Sequence, residues 1–200
     1  LFQIYYNKRE KNHMINEWMK CSYSCDDTNK DKILPGIDPD KNKIRIVMIS
    51  ESPPVNHDDY FYQNPDGSFF NDLSEMGVYL TTAIKCSKKK YTVSMQTIGE
   101  CSNILDAELS RFPNIKVIMC MGDFAINAVN YIYKKKYKVK PVKSGSTYKI
   151  RKEDHLFNGI KFFPSYTQTG ESFNIEKSKR QMIAEDIKNA FDYLEKTNSA

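Results

Sequence analysis

The chain has 200 residues, 40% of them apolar, with 30 basic and 25 acidic side chains for a net charge of +5. Its apolar residues come in short runs. None, Ile44–Ser50 included, approaches the roughly 20 residues of a membrane helix, so a membrane-spanning helix is excluded and a soluble globular protein of one domain, residues 1–200, is expected. A net charge this small names no partner; where the charges lie matters more.

In chain order, Lys8–Lys20 has the spacing of an opening helix anchored by Trp18. A polar stretch with Pro35, Gly36 and Pro39 then reads as a loop, so residues 1–43 form an N-terminal helix and loop ahead of the first strand. Ile44–Ser50 and Ile115–Met121 are nearly all apolar, as strands covered on both faces are. Val78–Ile84 and Ile160–Pro164 are shorter strand candidates. Between them, Ile98, Cys101, Ile104, Leu105 and Leu109 mark one helical face, and Phe124, Ala125, Ala128, Val129 and Ile132 mark another, with Asp123 as its N-cap. A last helix runs from about Asn174, with Ile183, Ile187, Ala190, Phe191 and Leu194 inward. Strands alternating with helices predict an α/β fold, a three-layer α/β/α domain on a mainly parallel sheet of about four strands. Ligands in such sheets collect at the carboxyl ends of the strands, which directs attention to the loops that follow Ser50, Ile84 and Pro164. The first is stiffened by Pro53 and Pro54, which hold the backbone extended.

Two lysine-rich stretches stand out, Lys85–Lys90 and Lys134–Lys143, and either suits a phosphate backbone. The five cysteines are an odd number, and no secretory h-region opens the sequence, so a disulfide framework is disfavoured and a cytoplasmic location is expected. Cys120 lies in an apolar run and reads as core. Cys21, Cys25, Cys86 and Cys101 lie in polar or helical settings, as free thiols or as ligands.

The ordered motifs resemble those of the uracil-DNA glycosylase superfamily, most closely its iron–sulfur branch. "IVMISESPP" is similar to that family's strand and Gly-Glu-x-Pro-Gly loop, and "VYLTTAIKC" to its Val-Tyr-Ile-Thr-Asn-x-x-Lys-Cys segment. "IGECSNILDAEL" resembles its Glu-x-x-x-Cys helix, "KVIMCMGDFA" its next strand, turn and helix, and "PSYTQTG" stands in the place of its Pro-Thr-x-His-Pro-Ser motif. The resemblance implies a [4Fe–4S] cluster held by Cys21, Cys25, Cys86 and Cys101, four thiolates being the usual ligand set. The first pair is spaced Cys-x3-Cys where the family usually has Cys-x2-Cys.

It also implies a pocket for an extruded base. Glu51 then offsets the cationic sugar of the transition state or orients water, with Ser52 at a position where the more active branches carry Asp. Phe70 or Phe69 stacks on the base, with Tyr60, Phe61 and Tyr62 as competitors; Pro53, Thr82 and Gln168 line the pocket, and Lys88 meets phosphate. Two departures bear on activity. Thr82 replaces the Asn that reads uracil, and Thr167 replaces the His that stabilises the leaving base, with Gln168 and Thr169 following it. A hydroxyl has a single hydrogen to donate and carries no positive charge. Of His13, His57 and His155, none is an evident substitute, although His57 shares the Glu51 loop. The expectation is therefore a monomeric DNA glycosylase-like protein of altered base specificity, poor on uracil. The alternatives are an inactive iron–sulfur protein that binds nucleic acid, and a redox or interaction domain.

Overall fold

The computed structural model describes residues 21–33, 39–56, 68–167 and 176–198, with side chains from 21–33, 39–56, 72–167 and 176–197. The opening helix expected around Trp18 lies outside them. Five strands form one sheet: β1 (Ile46–Ser50), β2 (Val78–Thr82), β3 (Val117–Met121), β4 (Leu156–Phe157) and β5 (Ile160–Ser165), in the order β2-β1-β3-β5-β4. The helices are α1 (Ser68–Glu75), α2 (Met95–Leu109), α3 (Asp123–Tyr137), α4 (Thr147–Ile150) and α5 (Lys177–Asn198). All strand pairs are parallel except β4 with β5.

The period of two along each strand sorts the core into two halves. Val47 and Ile49 of β1, with Ile118 and Cys120 of β3, pack under α2 and α3. Ile46 and Met48, with Val117, Met119 and Met121, pack on the other face beneath α5, joined at its margin by Leu73 of α1. The result is the expected three-layer α/β/α arrangement, and Cys120 is the core residue that its apolar run predicts.

Three details differ from the sequence-based expectation. The sheet has a fifth strand, the two-residue β4, turned back onto β5 by Asn158 and Gly159, both at positive φ. An Asn-Gly pair supplies such a turn at little cost, and this was its signal. Helix α2 starts before Ile98, at Met95, where the Ser94 hydroxyl accepts from the Thr97 amide at 3.1 Å. Helix α3 is capped by Gly122 rather than Asp123; Asp123 occupies the first turn, where a carboxylate favours the helix dipole.

Candidate functional site

Chain topology selects one crevice. From β1 the chain moves to β2 on one side, and from β3 it moves to β5 on the other. Connections leaving adjacent strands in opposite directions open a gap at their carboxyl ends. Glu51 stands at the end of β1 and Gly122 at the end of β3. A Cβ on Gly122 would lie 2.7 Å from Glu51 Oε1 and 2.8 Å from its Cγ, and the residue has φ +104°, so Gly122 lets the carboxylate lie directly over the strand end. The Glu51 carbonyl accepts from the Ile84 amide at 2.9 Å, which anchors the loop backbone. Its carboxylate meets Lys88 Nζ at 3.3 Å, with both side chains about one-fifth exposed, and the same ammonium lies 4.8 Å from the centre of the Phe124 ring. A carboxylate and an ammonium from two separate loops and an aromatic ring from the first turn of α3 thus share the switch-point crevice.

The loop carrying Cys21 and Cys25 is zipped onto the β2–α2 connection. Thr28 bridges Lys88, the Asn29 amide donates to the Ser87 carbonyl at 3.0 Å, the Ile33 amide to Lys85 at 2.9 Å, and the Lys89 amide to Asp27 at 3.0 Å. Asp31 accepts from the Ser87 amide at 2.9 Å and from its hydroxyl at 2.5 Å. Asp27 accepts from the Ser94 amide and the Thr97 hydroxyl, both at 2.7 Å, and so clasps the start of α2. Burial pushes the Asp27 carboxyl up, but these donors outweigh it and hold its pKa below the usual carboxylate range. Neither Asp27 nor Asp31 stood out in the sequence, where they read as loop polarity.

Cys86 lies on this clasped connection, and Cys101 lies on the helix whose start the clasp holds. Cys25, Cys86 and Cys101 are buried and Cys21 is partly so. Burial pushes the Cys86 thiol up to about 12, and Cys101, Asp31, Cys25 and Cys21 all add to the rise. Burial likewise lifts Cys101 to about 11; Cys25 and Cys21 raise it, while a hydrogen bond from the Lys85 backbone and the Lys85 charge lower it. Cys86 thus responds to the other three thiols, and Cys101 to Cys25 and Cys21. Cys120, raised to about 12, responds to burial alone. Among the described residues no three Cys, His, Asp or Glu side chains are grouped about a point as one metal ion requires. A [4Fe–4S] cluster is held by four thiolates rather than by side chains converging on a single ion. Four thiols on the clasped loop, the β2–α2 connection and α2 are a donor set of the kind such a cluster takes.

Lys85 does not join the phosphate-facing lysines expected from the sequence. Its side chain is 1% exposed and paired at 2.5 Å with Glu108, itself fully buried. Tyr79 Oη donates to Glu108 at 2.7 Å, Thr81 Oγ1 reaches both carboxylate oxygens, and Lys85 Nζ donates to the Thr82 carbonyl at 2.6 Å. Every member of this buried network is satisfied by another, the condition under which buried charge is tolerated.

No family model matches this chain. Among curated proteins, 117 residues are 26% identical to a type-5 uracil-DNA glycosylase of Thermus thermophilus. Over that segment the chain is similar to a uracil-DNA glycosylase. The match covers 58% of this chain and 53% of that relative, so the chain spans about half the length of the curated glycosylase it matches.

The remaining glycosylase-like positions fall as follows. Ser52 is half-buried and Pro53 buried beside Glu51. Thr82, at the end of β2, is 1% exposed, and its Oγ1 has no hydrogen-bond partner among the described residues. Thr167 is half-buried just past β5. Phe69 and Phe70 belong to α1, but their side chains, like Gln168, Tyr60, Phe61, Tyr62, His13 and His57, lie outside the described residues. His155 is buried against the Ile150 carbonyl at 2.9 Å, on the β4 side and away from the Glu51 crevice. Two side chains near Lys88 were not anticipated. Tyr91 is 90% exposed with Lys88 Nζ 5.7 Å from its ring centre, and Lys179 Nζ lies 5.5 Å from the ring of Tyr166. The Lys179 pKa is raised first by its bond to Glu176, with Tyr166 and Tyr91 adding to the rise. The sequence hint was the tyrosine that closes the run Lys88–Lys90.

Proposed function

We propose that this chain is a DNA glycosylase-like protein of base excision repair. It holds a [4Fe–4S] cluster through Cys21, Cys25, Cys86 and Cys101 and receives an extruded base at the β1–β3 crevice. The observation that carries the proposal is the meeting of Glu51 and Lys88 at the switch point, on the same connection that the cysteine loop clasps. The cluster, when bound, supplies a rigid cross-link. Its ligands span the N-terminal loop, the β2 end and α2, and so steady the loop that carries Lys88.

In the proposed reaction water adds its oxygen to the anomeric carbon. The C–N bond breaks with its electron pair passing to the base, and the proton lost from water ends on the base. The Glu51 carboxylate offsets the positive sugar, Ser52 and Thr167 offer hydroxyl donors, and Thr82 Oγ1, buried and unpartnered, offers a hydrogen bond to the base edge. Phe69 or Phe70 stacks on the base, with Pro53 and Gln168 completing the pocket. Lys88 and Tyr91 meet the strand outside it, and a phosphate drawing on Lys88 leaves the Glu51 carboxylate less neutralised.

With Thr at 82 and 167, excision of uracil is expected to be slow and another deaminated base preferred. Incubating excess protein with single-stranded and mismatched DNA containing uracil, hypoxanthine or xanthine tests this. Abasic product that disappears in Glu51→Gln is expected, while Lys88→Ala lowers affinity and reduces the salt slope by about 0.7–0.9. No abasic product from any substrate rejects the enzymatic reading. The same two hydroxyls favour a second reading, a DNA-binding protein without catalysis, for which salt-sensitive binding persists and no base is released. Protein prepared without oxygen is expected to be brown and to contain iron, and Cys101→Ser to lose both, whereas Cys120→Ser keeps them. Colourless, iron-free protein after reconstitution rejects the cluster.

A further inference from the structure

A groove of about 380 Å³ opens beside the crevice, between α3 and the segment that leads from it to α4. Its mouth holds Asp123, next to the Gly122 that underlies Glu51, and Met95, next to the Ser94 that Asp27 clasps. Beyond the mouth it is lined by Tyr131, Lys134, Lys140 and Lys143, so ammonium groups outnumber the one carboxylate. Lys143 shares its charge with Glu153 at 2.8 Å, whereas Lys134 and Lys140 are exposed. Lysines in the last turn of a helix are accounted for by the dipole, which covers Lys134 but not Lys140 or Lys143, both past the end of α3.

Both walls are held in place. Asn130 is buried and makes a reciprocal pair with Val142, donating to its carbonyl at 2.9 Å and accepting from its amide at 3.1 Å, which pins the outer wall to α3. The end of the Tyr131 ring rests on α2: a Cβ on Gly99 would stand 3.0–3.4 Å from three of its atoms, so the absence of a side chain at Gly99 lets the ring seat. Yet Tyr131 remains 44% exposed. An aromatic ring held at its end yet largely exposed, flanked by ammonium groups at the edge of a preformed groove, is an arrangement suited to an unpaired strand, with a base on the ring and phosphates along the lysines.

We infer that this groove is a second nucleic-acid subsite. In it Tyr131 stacks one base of single-stranded DNA flanking the extruded nucleotide, and Lys134 and Lys140 track its phosphates. The inference rests on the reading of the Glu51 crevice as a DNA site. An unpaired strand is required because a base inside a duplex has no free face to offer.

Fluorescence anisotropy with labelled single-stranded DNA of two lengths, about 4 and about 16 nucleotides, tests it across a salt series. For the longer strand, Tyr131→Ala is expected to weaken binding about tenfold. Lys134→Gln with Lys140→Gln flattens the salt dependence by about 1.4 in slope, two phosphates at ~0.7 each. Tyr131→Phe keeps the ring and binds like the unmodified protein, which separates stacking from a folding defect. The short strand, spanning only the crevice, is unaffected by the groove variants and weakened by Lys88→Ala. Unchanged binding of the long strand by both groove variants, or an equal loss on both lengths, overturns the subsite. An unmodified protein that binds neither strand overturns it together with the crevice reading. If Lys88→Ala leaves the short strand unchanged while the groove variants still act on the long one, the crevice reading falls and the groove stands.

Discussion

Lys85–Lys90 and Lys134–Lys143 are equivalent in composition, yet the fold uses them in opposite ways. In the first, the run begins inside the protein: Lys85 is locked to Glu108, Lys88 is shared between Glu51 and the Phe124 ring, and Lys89 Nζ is tied to the Asp26 carbonyl at 3.0 Å. In the second, the ammonium groups line an outer groove, and the ion pairs of Lys136 with Asp106 and Lys143 with Glu153 sit at the surface. The difference lies in the neighbouring elements. The first stretch leaves the edge strand β2 at the carboxyl end of the sheet and its beginning is covered by the N-terminal loop, with only Lys89 and Lys90 exposed; the second leaves a helix into solvent. A run of like charges therefore describes a surface only where nothing folds over it.

The contrast is open to direct attack. The largest expected effect is on Lys85. Replacing it with Met strands the Glu108 carboxylate in the interior and is expected to cost about 3–5 kcal/mol, whereas Lys134→Met changes stability by no more than about 0.5 kcal/mol. Urea unfolding of the two variants measures the gap, and equal midpoints would show the first stretch to be as peripheral as the second. Adding Glu108→Leu to Lys85→Met recovers much of the loss, because the orphaned charge is then gone.

A smaller effect is expected at the clasp that covers the first stretch. Asp27→Ala removes the acceptor for Ser94 and Thr97, a loss of about 2 kcal/mol, read as faster hydrogen exchange at the Ser94 amide. The pH dependence has a definite sign. The folded Asp27 pKa lies below its ordinary value, so its contribution is complete above about pH 4 and is lost as pH falls through the folded value. Protection at Ser94 should fade on acidification in the unmodified protein and be low at every pH in Asp27→Ala; a fade that persists in the variant assigns it to another carboxylate.

The smallest effect belongs to the second stretch. Lys138 ends α3 at φ +63°, a left-handed conformation that glycine adopts freely. Lys138→Gly is expected to stabilise the protein by about 1 kcal/mol, seen as a raised urea midpoint. A destabilised variant would mean that the Lys138 side chain contributes more than its backbone strain costs.

The layered fold was legible because its signals are local. Uninterrupted apolar runs marked β1 and β3, one-sided spacing marked α2 and α3, and the fifth strand had its own notice in Asn158-Gly159. Glu51 was legible too, since an acidic residue at the exit of a buried strand ends at the carboxyl edge wherever that strand sits. Lys85 was not. Its partner lies 23 positions away on a helix whose inward face was identified from apolar residues alone, so Glu108 went unremarked. The clasp was equally hidden, because Asp27 and Thr97 are 70 positions apart.

By itself the sequence determined the alternation of the main strands and helices, the interior place of Cys120, and the presence of polar residues at the strand exits. Only the tertiary structure decided that Glu51 meets Lys88 beside Gly122, that the loop of Cys21 and Cys25 is zipped onto the connection that carries Cys86, and that one lysine stretch begins buried while the other lines a groove. Periodicity is a property of neighbouring residues and survives in one dimension. Burial and charge pairing arise between segments that meet only when the chain is closed.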